Sequence, residues 1–183
     1  LLEENGRAHF MTRRFDRGPD SAKHHIQTFC AIKHFDFNNI TGYSYEQLFQ
    51  TMRELRLTYA DAEQMFRRMV FNAAARNCDD HTKNFSFILK KDADWALAPA
   101  YDICHAYQPK HKWASSHALS INGKRDGITR DDLLKLAADI KLKKADSIIN
   151  QISSTVNRWP EFAEETSVAP FLRDEISKTL VKL

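Results

Sequence analysis

Residues 76–87 read RNCDDHTKNFSF. Asp79, Asp80, His81, Lys83 and Asn84 stand within six positions, and an apolar alternation begins directly behind them. The polar groups need water or partners, while Phe85, Phe87 and Leu89 need one buried face. The chain must therefore stop a helix here, cross a polar loop and enter a strand. The following DADWALAPAYDI (92–103) reads as a turn, a second short strand and a break at Pro99. A β-hairpin is the economical arrangement.

The rest of the chain is arranged around that hairpin. AHFMTRRF (8–15) reads as a short strand, and DRGPDS (16–21) as a turn punctuated by Gly18-Pro19. From Ser21 to about Phe35 the spacing of Ile26, Phe29 and Cys30 predicts a helix. Ser44 with Gln47 is a capping-box signature, and the helix behind it should bury Leu48, Met52 and Leu55. Thr58 with Asp61 opens the next helix, over about 59–76, with Met65, Phe66, Met69, Val70 and Ala73 on its core face. A further short strand is expected within SSHALSINGKRDG (115–127), and Thr129 with Asp132 caps a helix to about Asp139. Helices near 143–158 and 168–182 close the chain, with Trp159-Pro160 between them. The expected fold is mainly α with a small β-hairpin.

The composition excludes several classes. Of 183 residues, 43% are hydrophobic and 28% charged, an ordinary balance for a chain able to bury a core. A net charge of +3, from 27 basic and 24 acidic residues, is too mild to argue for nucleic acid. No apolar run is long enough for a bilayer, so no membrane is expected. The chain opens LLEENG without an initiating Met and is read as a fragment or processed product. Cys30, Cys78 and Cys104 form no CxxC pair, which favours a reducing cytoplasm. Cys78 is read as a semi-buried filler, since no positive neighbour clearly lowers its pKa.

Asn84 lies five residues after Asp79, the step used by H-R-D-x-x-x-x-N catalytic loops. In that chemistry an Asp meets the attacking hydroxyl, and an Asn carbonyl oxygen and a further carboxylate hold Mg²⁺, a cation that wants oxygen ligands. Asp102, eighteen residues past Asn84 and behind the hairpin, is placed for the last role. Asp79 is thus a candidate catalytic base, Asn84 and Asp102 candidate metal ligands, and His81 or Lys83 a candidate positive charge near the transferred phosphoryl. The plain alternative stays open: Asp79 and Asp80 cap a turn, Asn84 starts a strand and Asp102 satisfies a backbone N–H.

FNAAARNCDDHTKNFSFIL followed by WALAPAYDI resembles the HipA-like serine/threonine kinases, bacterial enzymes often found as toxins of toxin–antitoxin pairs. MTRRFDR (11–17) is similar to that family's hinge strand, and SINGKRDGITRDDL (120–133) to another family segment. The resemblance runs from about residue 8 to at least 134. It implies a protein-kinase-like C-terminal lobe of α+β type that uses ATP and Mg²⁺, with Asp79 catalytic and Asn84 and Asp102 on the metal. The backbone at Arg13 and Phe15 would meet adenine. It also implies an antitoxin partner, DNA contact only through that antitoxin, and a protein acceptor such as an aminoacyl-tRNA synthetase. The whole chain reads as one lobe: hinge strand and turn (1–20), helices (21–76), catalytic loop and hairpin (77–127) and helical tail (128–183).

The departures also count. No Gly-rich phosphate loop and no early-strand Lys precede the match, since both belong to a small lobe that is absent here. The fragment alone is therefore expected to be inactive. Arg13 stands where the family often has Glu, and Ile103-Cys104 follow Asp102 in place of Phe-Gly. Two other readings remain: a degenerate lobe acting as a non-catalytic protein-binding module, and a metal-dependent hydrolase or phosphotransferase using Asp79, Asp80, His81 and Asp102. Lys110, His111, Lys112 and Trp113 are read as an exposed loop, His24-His25 as a solvated helix start and His105 as a hairpin histidine.

Overall fold

A computed structural model describes residues 2–19, 22–39, 41–91 and 94–183. Among them the chain is α+β, with seven helices and two small antiparallel sheets. The first sheet pairs β1 (Leu2–Glu4) with β2 (Arg7–His9). Asn5 (φ 51°) and Gly6 (φ 72°) form the two-residue turn, and both occupy the left-handed region that such hairpins require. Of the strand expected over 8–15, only Ala8 and His9 belong to a ladder; residues 10–15 continue without regular structure.

The hairpin is present and is larger than expected. The second sheet has the order β3 (His25–Thr28), β4 (Ser86–Leu89), β5 (Trp95–Leu97), with β4 central. Ile26 pairs with Ile88 and Phe87 with Leu97. β3 takes the middle of the helix expected over 21–35. Only α1 (Phe29–Ile32), a single turn capped by Thr28, is helical there. The reason is long-range: β4 offers the 25–28 backbone a ladder, and the Phe29 N–H continues it to the Phe85 carbonyl at 2.7 Å. The expected helix start at Ser21, the end of the turn at Asp20, and the Asp92–Ala93 part of the hairpin turn lie outside the described residues.

The three capping signatures all start helices: α2 (Tyr45–Glu54), α3 (Tyr59–Ala74) and α4 (Arg130–Asp139). In each, the Ser or Thr side chain accepts from the third amide, and the Gln or Asp there reaches back to the cap N–H. α5 (Ala145–Asn157), α6 (Trp159–Glu165) and α7 (Pro170–Ser177) follow. α6 occupies the expected break, because Pro160 sits in the first turn of a helix, where its missing N–H costs nothing. The strand expected within 115–127 is not formed. Ile121 and Lys124 instead close a tight turn through Asn122 (φ 49°) and Gly123 (φ 76°).

α3 packs along α5, and the core joins both to α2, α4 and the sheet. Met65, Phe66, Met69, Val70 and Ala73 are buried as their spacing predicts, with Phe85 and Phe87 from the hairpin beside them. Burying side chains of this size contributes about 1.5–3 kcal/mol each. It fixes the end of α3 against β4, and so the position of the polar loop between them. No helix among the described residues is long and apolar enough to cross a membrane.

Candidate active site

The polar loop begins where α3 ends. Arg76 adopts φ 54°, and Asn77 and Cys78 lie alongside Ala106, with Cys78 N–H to Ala106 O at 3.3 Å. Asp79 and Asp80 then face opposite environments. The Asp80 side chain is fully buried. It accepts from the Tyr45 hydroxyl at 2.8 Å, the Ala118 N–H at 2.7 Å and His117 Nδ1 at 3.0 Å. Burial and the Asp80 charge push the Tyr45 hydroxyl well above its usual pKa, so it remains a donor. Asp80 is therefore structural and has no oxygen to offer a metal. This removes one member of the hydrolase set, and no group of three His, Cys, Asp or Glu suited to a metal ion occurs among the described residues. Cys78 is buried, and burial pushes its thiol up to about 12, in line with a filler.

The Asp79 side chain, in contrast, is 43% exposed, with His81 Nε2 at 3.8 Å. The Asn84 side-chain NH₂ donates to the Asp79 carbonyl at 2.9 Å, and the Asn84 N–H to the His81 carbonyl at 2.9 Å. The Asn84 amide nitrogen is thereby committed to the loop backbone. Asp102 is exposed and held at φ 54°. Partial burial raises the pKa of Asp79, His81 lowers it and the Asp102 carboxylate raises it again. The Asp79 carboxylate thus senses the Asp102 charge, although Asp79 lines recesses with His81 and with His105 and not the cleft that Asp102 lines.

A cleft of about 500 Å³ opens on the Asp102 side. Arg13, Phe15, Ile26, Ala100, Tyr101 and Asp102 line it, so the expected hinge residues and one expected metal ligand share a cavity. Tyr101 is the link that sequence reasoning missed. Its ring stacks on Phe15 at 5.9 Å. Its hydroxyl donates to the Lys83 carbonyl at 2.6 Å and lies 2.5 Å from Ser86 Oγ. An aromatic residue directly before the candidate Asp was the available signal. The Lys83 ammonium rests 3.6 Å over the Phe37 ring, which leaves the His81 imidazole as the ring beside Asp79. His25 lies in β3, edge-on to Trp95, and not at a helix start. His105 bonds Thr179 Oγ1 at 2.8 Å, behind α7 in the chain.

A family model described as the HipA-like C-terminal domain matches residues 1–159. No curated protein matches the chain. Among solved structures, the chain is similar to one from the toxin–antitoxin HipA, HipB and operator DNA complex of Shewanella oneidensis MR-1. The TM-score is 0.64 at 20% identity, over 93% of this chain and 42% of that one. The chain thus spans less than half the length of that neighbour, and the likeness is one of fold.

Proposed function

Because this chain belongs to the family of HipA-like C-terminal domains, we propose that it is the large lobe of an ATP- and Mg²⁺-dependent serine/threonine protein kinase. It would serve as the toxin of a cytoplasmic toxin–antitoxin pair. The observation that carries this reading is the single cleft lined by Arg13, Phe15 and Asp102, which Tyr101 ties to the Asp79–Asn84 loop. The neighbouring HipA complex includes HipB and DNA. By analogy, this chain is proposed to bind an antitoxin and to reach DNA only through it.

The residues suit the groups such an activity needs. The cleft has aromatic and aliphatic walls at Phe15, Tyr101 and Ile26, which fit a purine, and backbone groups at Arg13 and Phe15 that can read its edge. Asn84 Oδ1 and the Asp102 carboxylate are hard oxygen donors of the kind Mg²⁺ takes. When bound, magnesium-ATP supplies the phosphoryl group, and the metal offsets the charge of the phosphates. Asp79 orients the acceptor hydroxyl and takes its proton, and its raised pKa makes it a stronger base than an ordinary carboxylate. The His81 imidazole lies beside it, with Nε2 3.8 Å from the Asp79 carboxylate. The five glycines of the chain form no phosphate loop. That loop and a phosphate-binding Lys are assigned to a separate small lobe, without which these 183 residues would not transfer phosphate.

The test is titration of magnesium-ATP into the full-length gene product, followed by radiolabel transfer. Asp79→Ala should abolish transfer and leave nucleotide binding intact. Transfer that survives would take Asp79 out of the mechanism, and a full-length protein that does not bind magnesium-ATP would end the kinase reading.

A further inference from the structure

Asp79 sits in a loop without regular structure, and little holds its own side chain. The residue after it is held from several directions. Asp80 takes the Tyr45 hydroxyl from α2, and the Ala118 N–H and His117 Nδ1 from the 117–118 segment. Behind Tyr45, Asn72 on α3 donates to the tyrosine oxygen at 3.0 Å, and Asn77 donates to Asn72 Oδ1 at 3.0 Å. The far side is fixed as well. The His117 N–H donates to the Arg125 carbonyl at 2.9 Å. The Arg125 guanidinium binds the carbonyls of His117, Ala118, Thr41 and Tyr43. His117 and Ala118 also line a recess of about 50 Å³ with Asp79 and His81.

Stability alone does not account for this arrangement. A buried charge with polar partners is commonly matched or bettered by apolar residues of the same volume, whereas hydrogen bonds of fixed direction set one geometry. What these bonds fix is the backbone one residue from the proposed base.

We infer that Asp80 and His117 are positioning residues. Together they pin the catalytic loop to the 117–118 segment and so hold Asp79 at the place where the acceptor hydroxyl must arrive. The inference rests on the kinase reading for its chemistry, but the clamp itself is a property of the loop.

The experiment uses the full-length gene product with radiolabelled ATP and myelin basic protein as probe acceptor. Its variants are His117→Ala, Asp80→Ala and Asp80→Asn. Rates are normalised to the magnesium-ATP binding sites counted by calorimetry, which removes any unfolded fraction. His117→Ala should lower kcat by roughly 100-fold, the usual effect of a misplaced catalytic group, with the nucleotide dissociation constant changed by less than about twofold. Asp80→Asn keeps an acceptor for the Ala118 N–H, and a switch of the His117 tautomer can satisfy its amide, so it should restore most of what Asp80→Ala loses. A normalised kcat within about twofold of wild type in His117→Ala overturns the proposal. Amide hydrogen exchange supplies a readout free of catalysis: protection should fall within residues 77–84 in His117→Ala, and unchanged protection there also overturns it. If wild type transfers no phosphate but the exchange result holds, the kinase reading fails and the clamp stands.

Discussion

Asp132 offers a quantitative check on how the segment behind the 77–84 loop is anchored. Its Oδ2 accepts from the Thr129 N–H at 2.9 Å, the Thr129 hydroxyl at 2.8 Å and Lys124 Nζ at 2.9 Å. Asn122, in the same turn as Lys124, donates its side-chain NH₂ to the Asp132 carbonyl at 2.8 Å and its N–H to Glu46 at 2.7 Å. The carboxylate therefore ties the start of α4 to the 121–124 turn that follows the Asp80 clamp. Burial pushes its pKa up, but Lys124 and the two Thr129 donors outweigh burial and bring it to about 2, against a usual 3.8. A carboxylate with a lowered folded pKa adds stability that is present above its unfolded value and disappears as the pH falls through the folded one. The difference corresponds to about 2 kcal/mol at neutral pH, with about half gone at pH 3. Urea unfolding of wild type and Asp132→Asn at pH 7 and pH 3 reads this directly. Wild type should be the more stable at pH 7, and the gap should narrow by about 1 kcal/mol at pH 3. A gap that is constant between the two pH values would refute the reasoning, because the stabilisation would then owe nothing to the charge.

Three further outcomes are expected. Tyr101→Phe keeps the stack on Phe15 but leaves the buried Ser86 hydroxyl without its partner. It should cost about 1–3 kcal/mol in unfolding free energy and weaken magnesium-ATP binding by the full-length protein, read by calorimetry. Asp79→Ala removes a carboxylate whose charge is disfavoured first by burial and then by Asp102. Its unfolding midpoint should match wild type or rise slightly, and a clear fall would mean that Asp79 has a structural role. Of the three thiols, exposed Cys104 should react quickly with a disulfide reagent. Buried Cys30 and Cys78 should react only at the rate of unfolding, and a second fast thiol would contradict the burial of Cys78.

Local signals were legible in the sequence and long-range ones were not. Ser44 with Gln47, Thr58 with Asp61 and Thr129 with Asp132 each complete their hydrogen bonds within four residues, so the pattern can be read without a fold. Asn5-Gly6 carried an equally local hairpin signal that the strand reading of 8–15 passed over. His25–Thr28 could not be read this way, because its strand depends on a partner some sixty residues on, His25 pairing with Leu89. The site divides similarly. The spacing of Asp79, Asn84 and Asp102 pointed to one cluster, whereas the structure sets Asp102 on one cleft and Asp79 on two other recesses. Asp79 and Asp80 look alike as letters, and only tertiary packing sends one outward and the other into a cage of Tyr45, His117 and Ala118.

The closed beginnings of α2, α3 and α4 bear on where anionic charge can settle. A helix start attracts phosphate when its leading amides point at solvent and its dipole is unscreened. Here Ser44, Thr58 and Thr129 already occupy the third amide of their helices, and Glu46, Asp61, Asp131 and Asp132 bring negative charge into the same turns. A triphosphate would be repelled from all three helix tips, so any anion this lobe takes would be met elsewhere than at these three helix starts.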